Sequence, residues 1–65
     1  MRHFAIEAEW SVEDGAWIAS WASPLGILVT EGKTKEALEV NIRDAIETLL
    51  TGEADRHFTF DVVYR

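Results

Sequence analysis

Between Arg2 and Trp10, apolar Phe4, Ile6, Ala8 and Trp10 alternate with His3, Ala5, Glu7 and Glu9. That is the period-two pattern of a strand with one wet face. The alternation stops at Val12-Glu13-Asp14-Gly15, where Asp-Gly between two alternating runs signals a hairpin because Gly accepts a positive φ. A second strand follows from Ala16 to Ala22. A loop of Val12 to Gly15 sets Ser11 facing Ala16, Trp10 opposite Trp17, Ala8 opposite Ala19 and Ile6 opposite Trp21. One face then gathers every Trp, and a one-residue slip would divide that apolar set. The other face is mixed: Ile18 with the small Ala5 and Ala22 marks a place where a second copy can dock.

Ser23-Pro24-Leu25-Gly26 reads as a turn, since Pro fixes φ and Gly permits what other residues cannot. Gly26 to Thr30 is a short third strand, apolar enough to predict cover on both faces. Glu31-Gly32-Lys33 turns the chain into a helix capped by Thr34, with Glu36 near the positive end of the dipole. Leu38, Ile42, Ala45, Ile46 and Leu49 recur at spacings of 3 and 4, with Ala37 and Asn41 at the margin of the stripe. This is an amphipathic helix of about four turns, stopped by Gly52. Phe58, Phe60, Val62 and Tyr64 then alternate with Thr59, Asp61 and Val63 as a fourth strand.

Strand, strand, strand, helix, strand makes a two-layer α+β domain, β-β-β-α-β, over residues 1–65. The right-handed crossover after the third strand puts the fourth parallel to the first, in sheet order 3-2-1-4. One face is covered by the helix, with the Trp residues packed beneath it, and one is bare. The third and fourth strands are the two edges, and Val63 makes the fourth the stickier.

Composition narrows the function classes. The net charge of −6 disfavours direct nucleic-acid binding, which needs a surplus of Lys and Arg, and suits a basic partner. No apolar run approaches a membrane span and no signal-peptide core precedes Glu7 and Glu9, so the expected location is the cytoplasm. Without cysteine there is no disulfide framework and no thiolate zinc site. So small a domain buries only about 60% of its unfolded surface, and pairing into a homodimer would add stability.

His3 and His57 begin the two strands placed side by side, and with Asp55 or Glu7 they form the nearest thing to a metal set. Spacing alone supports it, and exposed strand ends are the simpler reading. Glu7, Asp61 and Glu39 or Glu47 are the residue types of a two-metal nuclease, but the helical carboxylates fall on the solvated face. No nucleophile–base pair and no glycine-rich phosphate loop is present, so the expectation is a protein without catalytic residues, cofactor or metal. The Trp residues read as core first; Trp10 or Trp21, near the ends of the sheet, is the alternative as a partner anchor.

Several motifs resemble one family. Phe4 to Trp10, Glu13-Asp14-Gly15, Trp17-Ile18-Ala19, Pro24-Leu25-Gly26, Gly32-Lys33-Thr34 and Ala37 to Asn41 together resemble the N-terminal domain of HicB antitoxins, and more closely short stand-alone HicB-like domains. The resemblance implies a truncated ribonuclease-H-like fold without nuclease activity. It also implies a non-enzymatic protein that oligomerises and that binds and neutralises HicA, a small basic mRNA-cleaving toxin. Leu25 inside the turn and Lys33 in place of a common acidic residue depart from the pattern. The expected partner-facing residues are Glu36, Glu39, Asp44 and Glu47 on the helix, with Ile18 and Val63 on the bare face. The alternative is a stand-alone homodimeric domain that binds a small ligand or metal through that face or through His3 and His57.

Overall fold

The computed structural model describes residues 2–65. Its elements are β1 (Arg2–Ser11), β2 (Ala16–Ser23), β3 (Gly26–Gly32), α1 (Lys35–Leu49) and β4 (Phe58–Tyr64). They form one sheet in the order β3-β2-β1-β4, with β4 parallel to β1 and the other pairs antiparallel. Ser11 faces Ala16, Trp10 faces Trp17 and Ala8 faces Ala19, the register that keeps the apolar set on one face.

The core lies between β1, β2, β3 and α1. Phe4, Ile6, Ala8, Ala19 and Leu28 meet Leu38, Ile42 and Ile46 there, with Leu50 just beyond the helix. The apolar stripe continues past Leu49, which is only half-buried, into fully buried Leu50 at the C-cap. Thr34 caps the other end, its hydroxyl accepting from the Ala37 N–H at 3.0 Å.

Glycine sets how closely α1 approaches β3. A Cβ on Gly32 would stand 2.3 Å from the Leu38 nitrogen, and one on Gly26 would stand 3.2 Å from Leu49 Cδ1. The helix therefore runs over β3, closest to that edge of the sheet. A helix is about 10 Å across, whereas four strands at about 4.8 Å spacing are wider than that. One helix placed over β3 leaves β4 short of cover. Phe58, Phe60, Val62 and Tyr64 all point to the helix side, and each is only half-buried.

Two expectations need correction. The third strand is not covered on both faces: Leu28 is buried beneath α1, but Ile27 is 77% and Val29 66% exposed on the bare face. Among the described residues no second layer lies there, so an unbroken apolar run says nothing about cover on that side. The Trp residues are not core either. Trp17 and Trp21 are half-buried at the margins and Trp10 is exposed, because the helix reaches neither end of the sheet widely enough to bury an indole.

Candidate interaction surface

The two edges of the sheet end differently. Ser23 and Gly26 pair across a two-residue turn, and the closing pair of such a hairpin is hydrogen bonded. Alternation along the ladder then aims the backbone groups of Ile27, Val29 and Glu31 outward. Asn41 on α1 reaches over this edge, and its Nδ2 donates to the Glu31 carbonyl at 2.7 Å. This side chain takes up one outward carbonyl of β3.

The phase of β4 follows from its end bonds. Arg2 N–H donates to the His57 carbonyl at 3.2 Å, and Arg65 N–H donates to the Ala8 carbonyl at 2.8 Å. The odd-numbered residues of β4 therefore bond β1, and the N–H and C=O groups of Phe58, Phe60, Val62 and Tyr64 point away from the sheet. Among the described residues nothing bonds them. The same four residues thus supply a free backbone edge and a row of half-open side chains.

α1 overhangs that row with charge. Glu36, Glu39, Arg43 and Glu47 form one ridge at spacings of 3 and 4, and all are exposed. The Glu39 carboxylate accepts the Tyr64 hydroxyl at 2.6 Å. Partial burial and then this carboxylate push the phenol up to about 12, because both disfavour a phenolate. Lys35 Nζ lies 4.6 Å from the Tyr64 ring centre and 5.4 Å from that of Trp17, while Arg43 lies 5.3 Å from Phe60 and 5.8 Å from Phe58. Trp10, Trp17 and Tyr64 continue the aromatic surface edge to face, with centroids 5.6 and 5.1 Å apart. The surface holds cations over rings under a line of carboxylates.

Of the expected partner-facing residues, Glu36, Glu39 and Glu47 belong to this ridge. Asp44 is exposed but lies about 100° round the helix from Arg43, so it stands apart. Ile18 and Val63 lie on the bare face, Ile18 half-buried and Val63 53% exposed. A row of residues crosses that face as Val29, Ser20, Glu7 and Val63. Arg65 bonds Glu7 beside it, and His3 joins Thr59 at 2.7 Å and Asp61 at 3.3 Å.

The histidines do not share a site. His3 takes its partners from β4, whereas His57 pairs with Asp55, whose carboxylate accepts the His57 backbone N–H at 3.0 Å and the ring at 3.2 Å. These bonds, the backbone one foremost, hold the Asp55 carboxyl below its usual value. No group of three metal-binding side chains occurs among the described residues. At the far end of β1, Arg2, Phe4, Trp21 and Leu25 line a shallow cleft of about 400 Å³, with Arg2 tied to Glu53 at 3.2 Å.

Lys35, Arg43, Phe58 and Phe60 were not among the residues expected to face a partner. The signal available was geometric: one helical stripe cannot cover four strands, so one aromatic-bearing strand had to remain partly open. α1 is not long and apolar enough to cross a membrane. Comparison with curated proteins finds no match, and neither does comparison with solved structures. A family model does match, over residues 3–65, and the chain belongs to that family, a domain of unknown function designated DUF1902.

Proposed function

We propose that this chain is a non-enzymatic interaction domain of the cytoplasm that binds and neutralises a small basic protein, as a HicB-like antitoxin does its HicA-like mRNA-cleaving toxin. One observation carries the reading. The acidic ridge of Glu36, Glu39 and Glu47 overhangs the half-open rings of Phe58, Phe60 and Tyr64, and those rings already lie beneath two of the chain's own cations. Lys and Arg side chains of a partner find the same two stabilising features there, a carboxylate and an aromatic face. The net charge of −6 adds a field that speeds encounter with a basic protein and discriminates against acidic ones. The resemblance of the turn and cap residues to HicB-like domains points the same way.

The test is co-expression with the reading frame adjacent to the chain's own. A growth-arresting neighbour is expected to be neutralised, and a Glu39→Lys/Glu47→Lys double variant that stays folded is expected to lose at least ~10-fold in affinity for it, the equivalent of 1.4 kcal/mol. A harmless neighbour that forms no complex would sink the antitoxin reading.

A further inference from the structure

On the helix side of the sheet two aromatic rings form a corner, and a cation already stands in it. Trp17 on β2 and Tyr64 on β4 flank β1, where Ala8 pairs with Tyr64 and Trp10 with Trp17. Ala8 is too small to hold the rings apart. Across the β2–β3 ladder Trp17 faces Gly32, which has no side chain to crowd the indole. The indole and the phenol therefore meet nearly at right angles, with centroids 5.1 Å apart and planes at 76°. Trp10 backs the indole edge to face. Lys35, the first residue of α1, sets its Nζ 4.6 Å from the Tyr64 centroid and 5.4 Å from that of Trp17.

Three features define the group this corner receives. The first is charge: each ring presents a negative face to a cation. The Tyr64 hydroxyl donates to Glu39 at 2.6 Å, which polarises the phenol and strengthens that face. The second is hydrogen bonding. Among the described residues Lys35 forms no ion pair, and a ring face is a weak acceptor, so the corner does little for the three donors of a primary ammonium. The third is size. With carbons touching a ring at about 3.5–4.0 Å and C–N bonds of about 1.45 Å, a nitrogen carrying methyl groups stands about 4–5.5 Å from the ring. Lys35 Nζ stands at that separation from both rings.

We propose that the Trp17–Tyr64 corner binds a methylated ammonium group, trimethylammonium above all, and that Lys35 is its resident stand-in. Such a group keeps the charge, has no N–H to leave unsatisfied, and lays methyl groups on both rings. Lys35 gives way readily, because it is exposed and its ammonium, on a flexible stem, regains water on leaving. Two sources carry this chemistry: a methylated lysine of a partner protein, and a free quaternary amine such as choline. The site shares Tyr64 and Glu39 with the surface proposed above but requires no toxin.

The test follows the indole N–H signals of the full chain by NMR as tetramethylammonium is added, against sodium at equal ionic strength. The Trp10 and Trp17 signals are expected to shift with a dissociation constant on the order of 1–10 mM. Trp21, packed on Phe4 with centroids 4.4 Å apart, is the unmoved reference. Lys35→Ala vacates the corner and is expected to tighten binding about 2–5-fold, the worth of one exposed cation–ring contact. Glu39→Gln is expected to weaken it, and the neutral tert-butyl analogue of choline to leave the signals in place. A short peptide with one trimethyllysine that binds at least ~10-fold tighter than choline assigns the ligand to a protein. A smaller difference, or none, assigns the free amine. Signals that stay unmoved in both the wild type and Lys35→Ala overturn the proposal, as do equal shifts with the neutral analogue. The measurement contains no toxin, so its failure would leave the proposed function standing, and a harmless neighbouring protein would leave this site standing.

Discussion

The two edge strands of this sheet are managed by opposite means. β3 lies under α1, and Asn41 takes up its Glu31 carbonyl. It leaves Ile27 and Val29 exposed only on the bare face. β4 lies beyond the buried stripe of α1, and Lys35, Arg43 and Glu39 reach out from the helix to cover its rings with long side chains instead. One helix amide takes up a carbonyl of the first edge, and long charged side chains cover the rings of the second. The contrast separates a structural edge from one available to a partner.

The sharpest way to break the β3 arrangement is Gly32→Ala. Its methyl would sit 2.3 Å from the Leu38 backbone, and no rotamer relieves a clash with backbone. Overpacking costs about 1–3 kcal/mol and sometimes more, and here the upper end or beyond is expected. In so small a domain, chemical denaturation should show loss of most of the stability. A variant as stable as the parent would mean that α1 does not rest on β3.

Asn41→Ala removes the shield from Glu31 without disturbing the core. A loss of about 0.5–1.5 kcal/mol is expected, the usual net worth of one hydrogen bond, and the lower end applies at this exposed site. Urea midpoints of the two proteins measure it directly.

The covering of β4 is tested through its phenol. Tyr64 is the single tyrosine, so absorbance near 295 nm follows it alone, and its native ionisation is expected at about 12. In the unfolded chain it ionises near 10. The folded state therefore holds its proton where the unfolded state has lost it, and stability declines as pH rises from about 10 through about 12. Glu39→Gln is expected to move the native titration only part of the way back, because partial burial is the larger cause. An unchanged titration would show that the carboxylate does not engage the hydroxyl.

What could be read in the chain follows the same division. Alternation in β1 and β2, the Asp14-Gly15 turn and the Thr34 cap define strands, register and helix, because each is set by neighbours in sequence. The order β3-β2-β1-β4 follows once crossover handedness is imposed, but handedness does not set the register of Arg2 against Phe58, which depends on packing between distant residues. The lateral position of α1 is not local: it depends on Gly32 and Gly26 meeting Leu38 and Leu49. That position decides that Trp10 is exposed, that Phe60 is half-open, and that Glu39 rather than Asp44 borders the aromatic row. The helical carboxylates were recognisable as a solvated face, but not as a ridge above rings.

The parallel seam between β1 and β4 also dominates how the chain is tied together. The two hairpins close loops of four and two residues, whereas Arg2 meets Phe58 at a separation of 56 positions (58 minus 2). By logarithmic loop-closure scaling this costs about 2 kcal/mol more than the four-residue loop. The topological cost of the fold is thus concentrated on one ladder. Its seven rungs, the cross-strand contacts of His3 with Asp61 and of Arg65 with Glu7, and its aromatic packing must offset that cost, and the ladder's outer strand is the one left open to solvent.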